Sequence, residues 1–277
     1  MKNYFENNII EFREILNHQE VFRYIKNTLN SIFKIFPNVD NNESLNLIVN
    51  AIKSNDYENQ LNEILPKLGI VECYENELQN RAQKHFDIIK NHIKGQYFLD
   101  FGCGDGELGK LIANVGFKVG LADIYKHKNI DKGIRFYDLK KDQEINQIFD
   151  NTALLTVLHH SSDPIKTLQK AKSFLKNGAN MIIIETVYGI NNNSDFGKLN
   201  DRQQFLITSF IDHFCNRAAW YNSDPSKRIN VPFNYNTPNG WKEIFQQQGL
   251  KEKYYEVLGK EQILFPGYHV LYVLENK

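Results

Sequence analysis

The amino-acid sequence predicts a doubly wound α/β fold with a mostly parallel sheet of seven strands. From Tyr97 onward, short apolar runs alternate with stretches of helical periodicity, a pattern typical of parallel strands joined by helical crossovers. Most connections are about 10 to 20 residues long, which fits right-handed crossovers. The runs are, in chain order, YFLDF (97–101), VGLAD (119–123), IRFYDL (134–139), ALLTVL (153–158), MIIIET (181–186), KYYEVLG (253–259) and HVLYVLE (269–275).

The first 95 residues precede these runs and are predicted to be helical. Apolar residues recur there at three- and four-residue steps, first at Val21, Ile25, Leu29, Ile32 and Phe33 and later at Leu61, Ile64 and Leu65. Breaks are expected at Pro37 with the Asn-rich NVDNN, at Asn55-Asp56, and at Pro66 and Gly69. A last helix is expected from about Glu77 to Ile93, ending at Gly95.

Further helices are expected between the strands, at residues 107–115, 141–149 and 164–175. After Thr186 the alternation stops, and residues 187–236 hold a predicted helix from Asp201 to Trp220 and a Pro- and Asn-rich stretch. Pro238 then opens a helix through Gln248. We therefore divide the chain into a helical N-terminal extension, residues 1–95, and an α/β domain, residues 96–277, with an insertion at 187–236.

Composition limits the class of protein and of partner. Hydrophobic residues make up 42% and aromatic residues 13% of the 277 residues, which is enough for a packed core and excludes global disorder. Lys+Arg and Asp+Glu both count 33, and this zero net charge argues against a nucleic acid as the main partner. No window approaches the roughly 18 apolar residues of a membrane span. The first 16 residues lack the apolar run of a signal peptide, so a cytoplasmic location is expected.

The cysteines and histidines give no sign of a metal or disulfide site. Cys73, Cys103 and Cys215 are far apart, odd in number and without a CxxC pair. No spacing among the histidines suggests a ligand set. We expect no metal.

The segment FLDFGCGDGELG, residues 98–109, is the most informative in the chain. A predicted strand leads into Gly102, Gly104 and Gly106, and a predicted helix follows. Glycines allow the backbone to take left-handed φ angles and let a ligand approach it closely. The N-terminus of the helix offers free N–H groups to whatever lies there. A nucleotide-like cofactor is the natural occupant of such a turn.

The spacing of the glycines excludes two kinds of phosphate-bearing cofactor. A dinucleotide-binding turn has the pattern G-x-G-x-x-G, whereas Glu107 stands at its last position here. Asp105 and Glu107 also add negative charge where a pyrophosphate would lie. No Gly-Lys-Ser/Thr follows the glycines, which excludes a P-loop. A cofactor with positive charge and no phosphate fits better, and S-adenosylmethionine, with its sulfonium and ammonium groups, meets that requirement.

DFGCGDG, which begins with Asp100, resembles the first motif of the class I S-adenosylmethionine-dependent methyltransferases. Later landmarks follow in that family's order: Asp123 ends the second strand, 21 residues after Gly102, and Asp138 ends the third. LLTVLHHSSDP (154–164) resembles the motif after the fourth strand in the small-molecule branch of the family. The resemblance covers residues 80–186 and 237–274, and it implies a Rossmann-like sheet, S-adenosylmethionine as cofactor and S-adenosylhomocysteine as product.

The resemblance also implies which residues bind the cofactor. Asp123 takes the place of the acid that binds both ribose hydroxyls, Asp138 that of a carboxylate that often contacts the adenine amine, and Thr156 lies where the chain passes the cofactor. The full set is Asp100, Gly102, Gly104, Asp105, Gly106, Asp123, Ile124, Asp138, Leu139 and Thr156. Plainer interpretations stay open: a tight turn for the glycines, a solvated strand end for Asp123, and a helix cap for Asp138.

His159 and His160 are the candidate catalytic residues. An imidazole near the methyl group can act as general base for a hydroxyl or amine acceptor, since its pKa lies near working pH. The other interpretation is that this pair serves the architecture of the fold and the cofactor pocket, as it often does in the family. The sequence leaves both open.

The insertion at 187–236 is expected to form a helical lid, because in this fold the substrate enters above a cofactor that lies across the carboxyl ends of the strands. Its many aromatic residues are either core packing or walls of a substrate pocket. The polar residues chosen as substrate contacts are His213, Arg217, Tyr221 and His269. The N-terminal helices either pack beside this lid and narrow the pocket or mediate a homodimer.

Methyl transfer to oxygen, nitrogen or carbon of a small organic molecule is therefore the leading hypothesis. An aromatic or polyketide-like intermediate of specialised metabolism is the one substrate class it suggests. The alternatives are an RNA- or protein-directed methyltransferase and a non-catalytic scaffold with the same fold. A protein that transfers another group from a related cofactor, such as a carboxymethyl group, is a further alternative that nothing in the sequence favours.

Overall fold

A computed structural model describes residues 12–36, 40–141, 148–224 and 228–277. The N-terminal residues 1–11, the expected break at Pro37 and most of the helix expected at 141–149 lie outside these ranges. The chain divides into two compact units. One comprises residues 1–78, 186–238 and 259–269, and the other residues 79–185, 239–258 and 270–277. We call them the helical unit and the sheet unit.

The sheet unit contains a seven-stranded sheet with the strand order β3-β2-β1-β4-β5-β7-β6. The strands are β1 (Tyr97–Phe101), β2 (Lys118–Asp123), β3 (Arg135–Asp138), β4 (Phe149–Leu155), β5 (Leu175–Thr186), β6 (Leu250–Lys260) and β7 (Tyr268–Asn276). β1 pairs in parallel with β2 and β4, β2 with β3, and β4 with β5. This arrangement confirms the doubly wound, mostly parallel sheet predicted from the sequence.

Helices α5 (Glu107–Asn114), α6 (Pro164–Lys172) and α8 (Pro238–Gln247) accompany the sheet. The apolar faces of α5 and the central strands form one core. Its buried members are Ile89, Phe98, Leu108, Ile112, Ala153, Ile182, Ile184, Leu271 and Val273. The central strands are therefore buried among apolar side chains of the neighbouring helices and strands, as is expected for parallel strands.

The helical unit contains α1 (Gln19–Phe33), α2 (Asn41–Lys53), α3 (Tyr57–Lys67), the first part of α4 (Ile70–Ile89), and α7 (Asp201–Ala219), and a 3₁₀ turn at Phe12–Asn17 precedes α1. The five apolar residues that predicted α1 are all buried. Among them, Phe33 packs edge-on against Phe214 of α7, with ring centroids 6.5 Å apart. The N-terminal helices and the insertion thus share one core.

One buried amide fixes the chain that leads into α7. Gln204 accepts a hydrogen bond from Ile190 N and donates to the carbonyl oxygens of Ile190 and Leu199. Asn200 caps α7 by accepting from Gln203 N, and the side chain of Gln203 accepts from Asn200 N in return. Such a reciprocal cap satisfies two N–H groups that the helix itself leaves free.

Several predicted boundaries are wrong. β4 begins at Phe149 and ends at Leu155 instead of covering 153–158, and β5 begins six residues before Met181. α6 ends at Lys172, and the helix expected from Glu77 begins at Ile70 and ends at Ile89, followed by a 3₁₀ turn at 90–92. Pro66 lies inside α3, whose last turn closes because Leu68 N donates to Ile64 O. In a last turn the missing N–H of proline removes only one bond of the helix.

No helix among the described residues is both long and apolar enough to cross a membrane.

Candidate functional site

The loop after β1 is held against the end of β2 by its own backbone. Gly102 N and Cys103 N both donate to Ala122 O, at 2.7 and 3.2 Å. Gly102, Gly104 and Gly106 have φ angles of 77°, 53° and 82°, in the left-handed region that side chains disfavour. At Gly102 a Cβ atom would also lie 2.5 Å from Val157 Cγ2. Glycine at this position is therefore required by both backbone conformation and space.

Asp123, at the end of β2, binds the same loop. Its Oδ2 accepts a hydrogen bond from Gly104 N at 2.9 Å, and its Oδ1 accepts from Tyr125 N at 3.2 Å. Asp123 therefore holds the glycine loop against the end of β2, a contact that the sequence did not predict. Burial nevertheless raises the pKa of Asp123 above its ordinary value, while these backbone bonds oppose the rise.

Asp123 belongs to a group of three carboxyl groups with raised pKa values. Burial, together with the charges of Asp105 and Asp123, raises the pKa of Asp100 to about 7. Burial also raises the pKa of Asp105, whose Oδ1 accepts from Glu107 N. Three carboxyl groups whose ionisation is disfavoured by burial, and at Asp100 also by its two neighbours, make this edge of the sheet a poor place for a pyrophosphate and a good one for a cation. These residues fit a cofactor that carries positive charge.

The end of β3 lies beside the end of β2. Asp138 stands opposite Asp123 in the strand register, and Leu139 N donates to Asp123 O at 2.9 Å. The Asp138 carboxylate accepts from Lys140 N and forms an ion pair with Lys141, so it stabilises the turn that follows. Ile124 is half exposed, at 50%, and presents an apolar side chain next to these acids.

Thr156 follows β4 and has a φ of 57°, a left-handed conformation that is rare for a β-branched residue. Its N donates to Ile184 O and its hydroxyl to Leu155 O, which holds the turn in place. The structure therefore places all ten predicted cofactor residues at the carboxyl-terminal ends of β1, β2 and β3 or in the loop and turns that follow β1, β2, β3 and β4. Their role in binding stays a prediction.

His159 and His160 lie in the 3₁₀ turn after β4, with ring centroids 4.2 Å apart. His159 is fully buried, and its Nδ1 lies 2.6 Å from Glu185 Oε2. Through this contact the His159 ring holds the 3₁₀ turn after β4 against the end of β5. His160 is half-buried. A catalytic role for either histidine stays a prediction.

Glu185, which the sequence analysis did not single out, organises this turn. Besides its bond to His159, its Oε1 accepts from Val157 N at 3.1 Å and from Leu158 N at 2.7 Å. The side chain is fully buried near the end of β5. The one signal of this role in the sequence is that Glu185 directly follows four apolar residues in MIIIET. An acid at the end of such a buried strand needs hydrogen-bond partners.

The predicted substrate residues lie in the helical unit. His213 and Arg217, on α7, both bind Glu58 of α3: His213 Nε2 lies 2.6 Å from Glu58 Oε2, and Arg217 Nε donates to Glu58 Oε1. His269 Nε2 lies 3.0 Å from the Thr186 hydroxyl. Tyr221 is half-buried just after α7. A role in substrate binding stays a prediction for all four.

Comparison with known proteins then identifies the family. A family model described as a methyltransferase domain matches residues 74–252, well over half of the chain. The chain belongs to this methyltransferase family. The match agrees with the seven-stranded topology and confirms the class I methyltransferase family predicted from the motifs, with S-adenosylmethionine as its cofactor.

Known relatives of this methyltransferase domain are distant. A tRNA U34 carboxymethyltransferase from Campylobacter fetus subsp. fetus (strain 82-40) is 25% identical over 169 residues, which span 54% of this chain and 60% of that protein. A 1,6-didemethyltoxoflavin-N1-methyltransferase from Burkholderia thailandensis, solved with its substrate and S-adenosylhomocysteine, is 13% identical, with 71% and 78% of the chains covered and a TM-score of 0.47. An S-adenosylmethionine-dependent methyltransferase from Methanosarcina mazei is 15% identical, with 68% and 96% covered and a TM-score of 0.47.

The raised pKa of Asp100 predicts how stability depends on pH. A buried carboxyl with a pKa of about 7 stabilises the fold below its unfolded pKa, near 3.9, and this contribution is lost as the pH rises to 7. Asp100→Asn, which is neutral and of the same shape, avoids that loss. Its free energy of unfolding relative to wild type should therefore rise by roughly 4 kcal/mol between pH 4 and pH 8. Urea unfolding at several pH values measures the difference.

The control for this experiment is Asp150→Asn. Hydrogen bonds from Lys176, Gln96 and Tyr97 keep the pKa of Asp150 below its usual range, although burial opposes them. The relative stability of Asp150→Asn should therefore change with pH in the opposite sense. A pH-independent difference for Asp100→Asn would contradict the raised pKa.

Glu185 should be required for the stability of the fold. Glu185→Ala leaves two backbone N–H groups and the buried His159 without their acceptor, so we expect a loss of about 3–5 kcal/mol in the free energy of unfolding. Glu185→Gln keeps one acceptor oxygen and should lose about 1–2 kcal/mol. Glu252→Ala breaks only a surface pair with Lys242 and should change stability by less than about 1 kcal/mol. An equal effect of Glu185→Ala and Glu252→Ala would rule out this role.

Proposed function

We propose that this protein transfers the methyl group of S-adenosylmethionine to a small organic molecule. The observation that supports this most directly is the glycine loop bound by Asp123 within a cluster of buried carboxyl groups. A loop with three left-handed glycines accommodates a ligand close to its backbone. The acidic surroundings favour a ligand with positive charge over one with phosphates.

The residues that would hold the cofactor are those predicted from the motifs. In this proposal the backbone of residues 102–106 lies against the cofactor and Asp123 accepts hydrogen bonds from its ribose hydroxyls. Asp138 and Leu139 belong to the adenine side, with Ile124 as the apolar contact. Each oxygen of Asp123 already accepts one backbone hydrogen bond and has a second lone pair left for a ligand.

The cofactor supplies a methyl group that its sulfonium makes electrophilic, so the protein's contribution is alignment and the exclusion of water. A base is needed only where the acceptor is a hydroxyl, amide or carbon acid. His160, which is half-buried beside His159, is then the better placed of the two histidines to take a proton. His159 positions the turn through Glu185 in this proposal.

A small-molecule acceptor is supported by the balanced charge of the chain and by the aromatic content of the insertion. A basic face for a nucleic acid backbone is not evident from the sequence, in which Lys and Arg are interspersed with acids. The lid role of residues 187–236, the homodimer and the cytoplasmic location stay predictions.

RNA is the second candidate acceptor, and one observation favours it. The relative from Campylobacter fetus is named for carboxymethyl transfer to U34 of tRNA. Its similarity to this chain also supports the alternative in which a carboxymethyl group is transferred from a derivative of the same cofactor. A purine or pyrimidine in a single-stranded loop can enter a pocket of the size that admits a small aromatic molecule.

Cofactor binding is tested by calorimetric titration with S-adenosylmethionine, S-adenosylhomocysteine and NAD. We expect dissociation constants on the order of micromolar for the first two and no binding of NAD. Asp123→Ala should weaken both by at least about tenfold, the equivalent of one charge-assisted hydrogen bond of about 1.5 kcal/mol. Asp150→Ala is the matched control, because Asp150 also accepts from two backbone N–H groups, those of Gln96 and Tyr97, but at the beginning of β1. Equal losses in the two variants would point to general loss of structure, and failure of wild type to bind would refute the cofactor assignment.

The acceptor class is tested with methyl-labelled S-adenosylmethionine. Wild-type protein is incubated with either a mixture of small aromatic alcohols and amines or unmodified tRNA, and label is measured in each fraction. We expect label in the small-molecule fraction and none in tRNA, with Asp123→Ala inactive on both. Label in tRNA alone would replace the small-molecule proposal with the RNA alternative.

A further inference from the structure

The helical unit has a cleft of its own, with a volume of about 580 Å³. It lies where the connection between α2 and α3 meets α7 and the chain that follows α7. Its aromatic walls are Phe12, Tyr57, His213 and Phe233, and its charged members include Glu58 and Arg217. All of these residues belong to the helical unit, so the geometry of the cleft is set within that unit.

One aromatic ring, that of Phe12, lies at the centre of these walls. Its centroid is 4.8 Å from that of Tyr57, 5.4 Å from His213 and 5.6 Å from Phe233, and each of these contacts is edge-on, with interplanar angles of 60° to 89°. Edge-to-face contacts of this kind are favourable for a flat aromatic group. The rings of Tyr57, His213 and Phe233 therefore form a box that the planar ring of Phe12 occupies.

Two of the walls carry polar atoms that an apolar ring does not satisfy. Among the side chains the structure describes, Tyr57 Oη and His213 Nδ1 are buried and have no hydrogen-bond partner. Leaving such a group unpaired costs about 1–3 kcal/mol, and buried polar groups in folded proteins are seldom unpaired. Packing around Phe12 alone does not explain two such atoms in rings that Phe12 contacts directly.

The protonation of these two groups is set by their surroundings. His213 lies against the Glu58 carboxylate through Nε2, which therefore carries the proton, and burial lowers the pKa of His213, so the ring is neutral. Its Nδ1 is then an acceptor. Burial raises the pKa of Tyr57 well above its usual value, so its hydroxyl keeps its proton and can donate. The box thus offers one acceptor and one donor.

The other charged groups near the box balance one another. Glu58 has a pKa of about 2 although burial opposes this, because hydrogen bonds from His213 and Arg217 and the charge of Arg217 favour the ionised carboxylate. Arg217 and Arg228 both contact Glu58, and Arg217 also donates to Ile229 O. These cations are already paired, and a ligand needs no carboxylate or phosphate to satisfy them.

Backbone strain is stored in the wall of the same box. Phe233 has a φ of 60°, in the left-handed region that a residue with a bulky side chain seldom adopts. Such a conformation costs about 1–3 kcal/mol and is typical of ligand sites, where it directs a side chain. Here it directs an aromatic ring towards Phe12 and His213.

We propose that this cleft binds a small phenol-like molecule, whose ring takes the place of the Phe12 ring among Tyr57, His213 and Phe233. The phenolic hydroxyl donates to His213 Nδ1 and accepts from the Tyr57 hydroxyl, which pairs both buried atoms. Only a group that donates and accepts at once meets this requirement, so an aromatic ether or carboxylate is a poorer ligand. The proposal rests on the helical unit and is independent of the methyl transfer proposed above.

The test compares phenol with anisole, its methyl ether, which cannot donate a hydrogen bond. Both are titrated into the full-length protein without S-adenosylmethionine, and binding is followed by NMR line broadening of the ligand. We expect phenol to bind about tenfold more tightly than anisole, as one buried hydrogen bond of about 1.4 kcal/mol implies. His213→Gln should reduce this ratio to near one, because it removes the acceptor that only phenol uses. Tyr57→Phe removes a donor that the oxygen of either ligand accepts from, so it should weaken phenol and anisole alike and leave the ratio near ten.

The variants are chosen to preserve the fold. His213→Gln keeps an amide N–H that can donate to Glu58 and removes the imidazole ring with its Nδ1 acceptor, and Tyr57→Phe removes only a hydroxyl that has no hydrogen-bond partner among the described side chains. Tyr254→Phe is the control, because Tyr254 is exposed and its hydroxyl donates to Glu256. It should leave the phenol-to-anisole ratio unchanged.

A further variant tests the role of Phe12. If its ring occupies the position of the ligand ring, Phe12→Ala should bind phenol several-fold more tightly than wild type, since nothing has to be displaced. Absence of phenol binding in both wild type and Phe12→Ala would overturn the proposal. A phenol-to-anisole ratio that His213→Gln leaves unchanged, or a Tyr57→Phe variant that binds phenol as tightly as wild type, would overturn it as well.

One more measurement shows whether the bound phenol is a methyl acceptor or a ligand that is not methylated. With labelled S-adenosylmethionine present, formation of labelled anisole identifies the bound phenol as a methyl acceptor. Phenol binding that depends on Tyr57 and His213 without any methylation supports a site distinct from the transfer reaction. Because phenol binding is measured without the cofactor, failure of the proposed methyl transfer does not affect this result.

Discussion

The path of the backbone at residues 102–106 depends on one close contact, that between Gly102 and the side chain of Val157. Gly102 leaves no room for a side chain because Val157, in the turn after β4, already fills that space. Val157 is held in turn by Glu185, which accepts its N–H at the end of β5. The shape of the glycine loop therefore depends on a carboxylate more than 80 residues away in the sequence. A loop with free φ angles becomes a rigid surface only through such neighbours.

Much of this arrangement was accessible from the sequence because it is local. β1 was predicted with its observed bounds, since YFLDF is a short apolar run ended by glycine. The glycines, Asp105 and Asp123 were singled out by the resemblance of their motifs to the methyltransferase family, and they lie together because the carboxyl ends of adjacent parallel strands meet at one edge of a sheet. Asp138 was also placed correctly at the end of β3, and its carboxylate binds the following turn, as a residue of capping type does.

What the sequence could not predict depends on contacts between distant residues. β4 begins at Phe149 although polar residues follow it. One of them, Asn151, can be buried in the strand because its side-chain amide exchanges two hydrogen bonds with the backbone of Lys94. Glu185 gained its importance only when β5 came to lie beside the turn after β4. Likewise, Glu58 and His213 are 155 residues apart, and no spacing rule connects an acid on α3 with a histidine on α7. Partners of this kind follow from tertiary packing alone.

The cluster of Asp100, Asp105 and Asp123 links the stability of the fold to the chemistry proposed for it. Burial raises the pKa of each carboxyl, and at Asp100 repulsion from Asp105 and Asp123 adds to it, so ionising all three is unfavourable in the folded chain. A neighbouring cation relieves that repulsion, and S-adenosylmethionine carries a sulfonium that its product lacks. In the proposed reaction the same carboxyl groups would stabilise the methyl donor more than S-adenosylhomocysteine, and this difference would favour exchange of the product for a new donor molecule. Carboxyl groups whose ionisation is unfavourable without a ligand are thus well suited to a cofactor that binds with a positive charge and loses that charge when its methyl group is transferred.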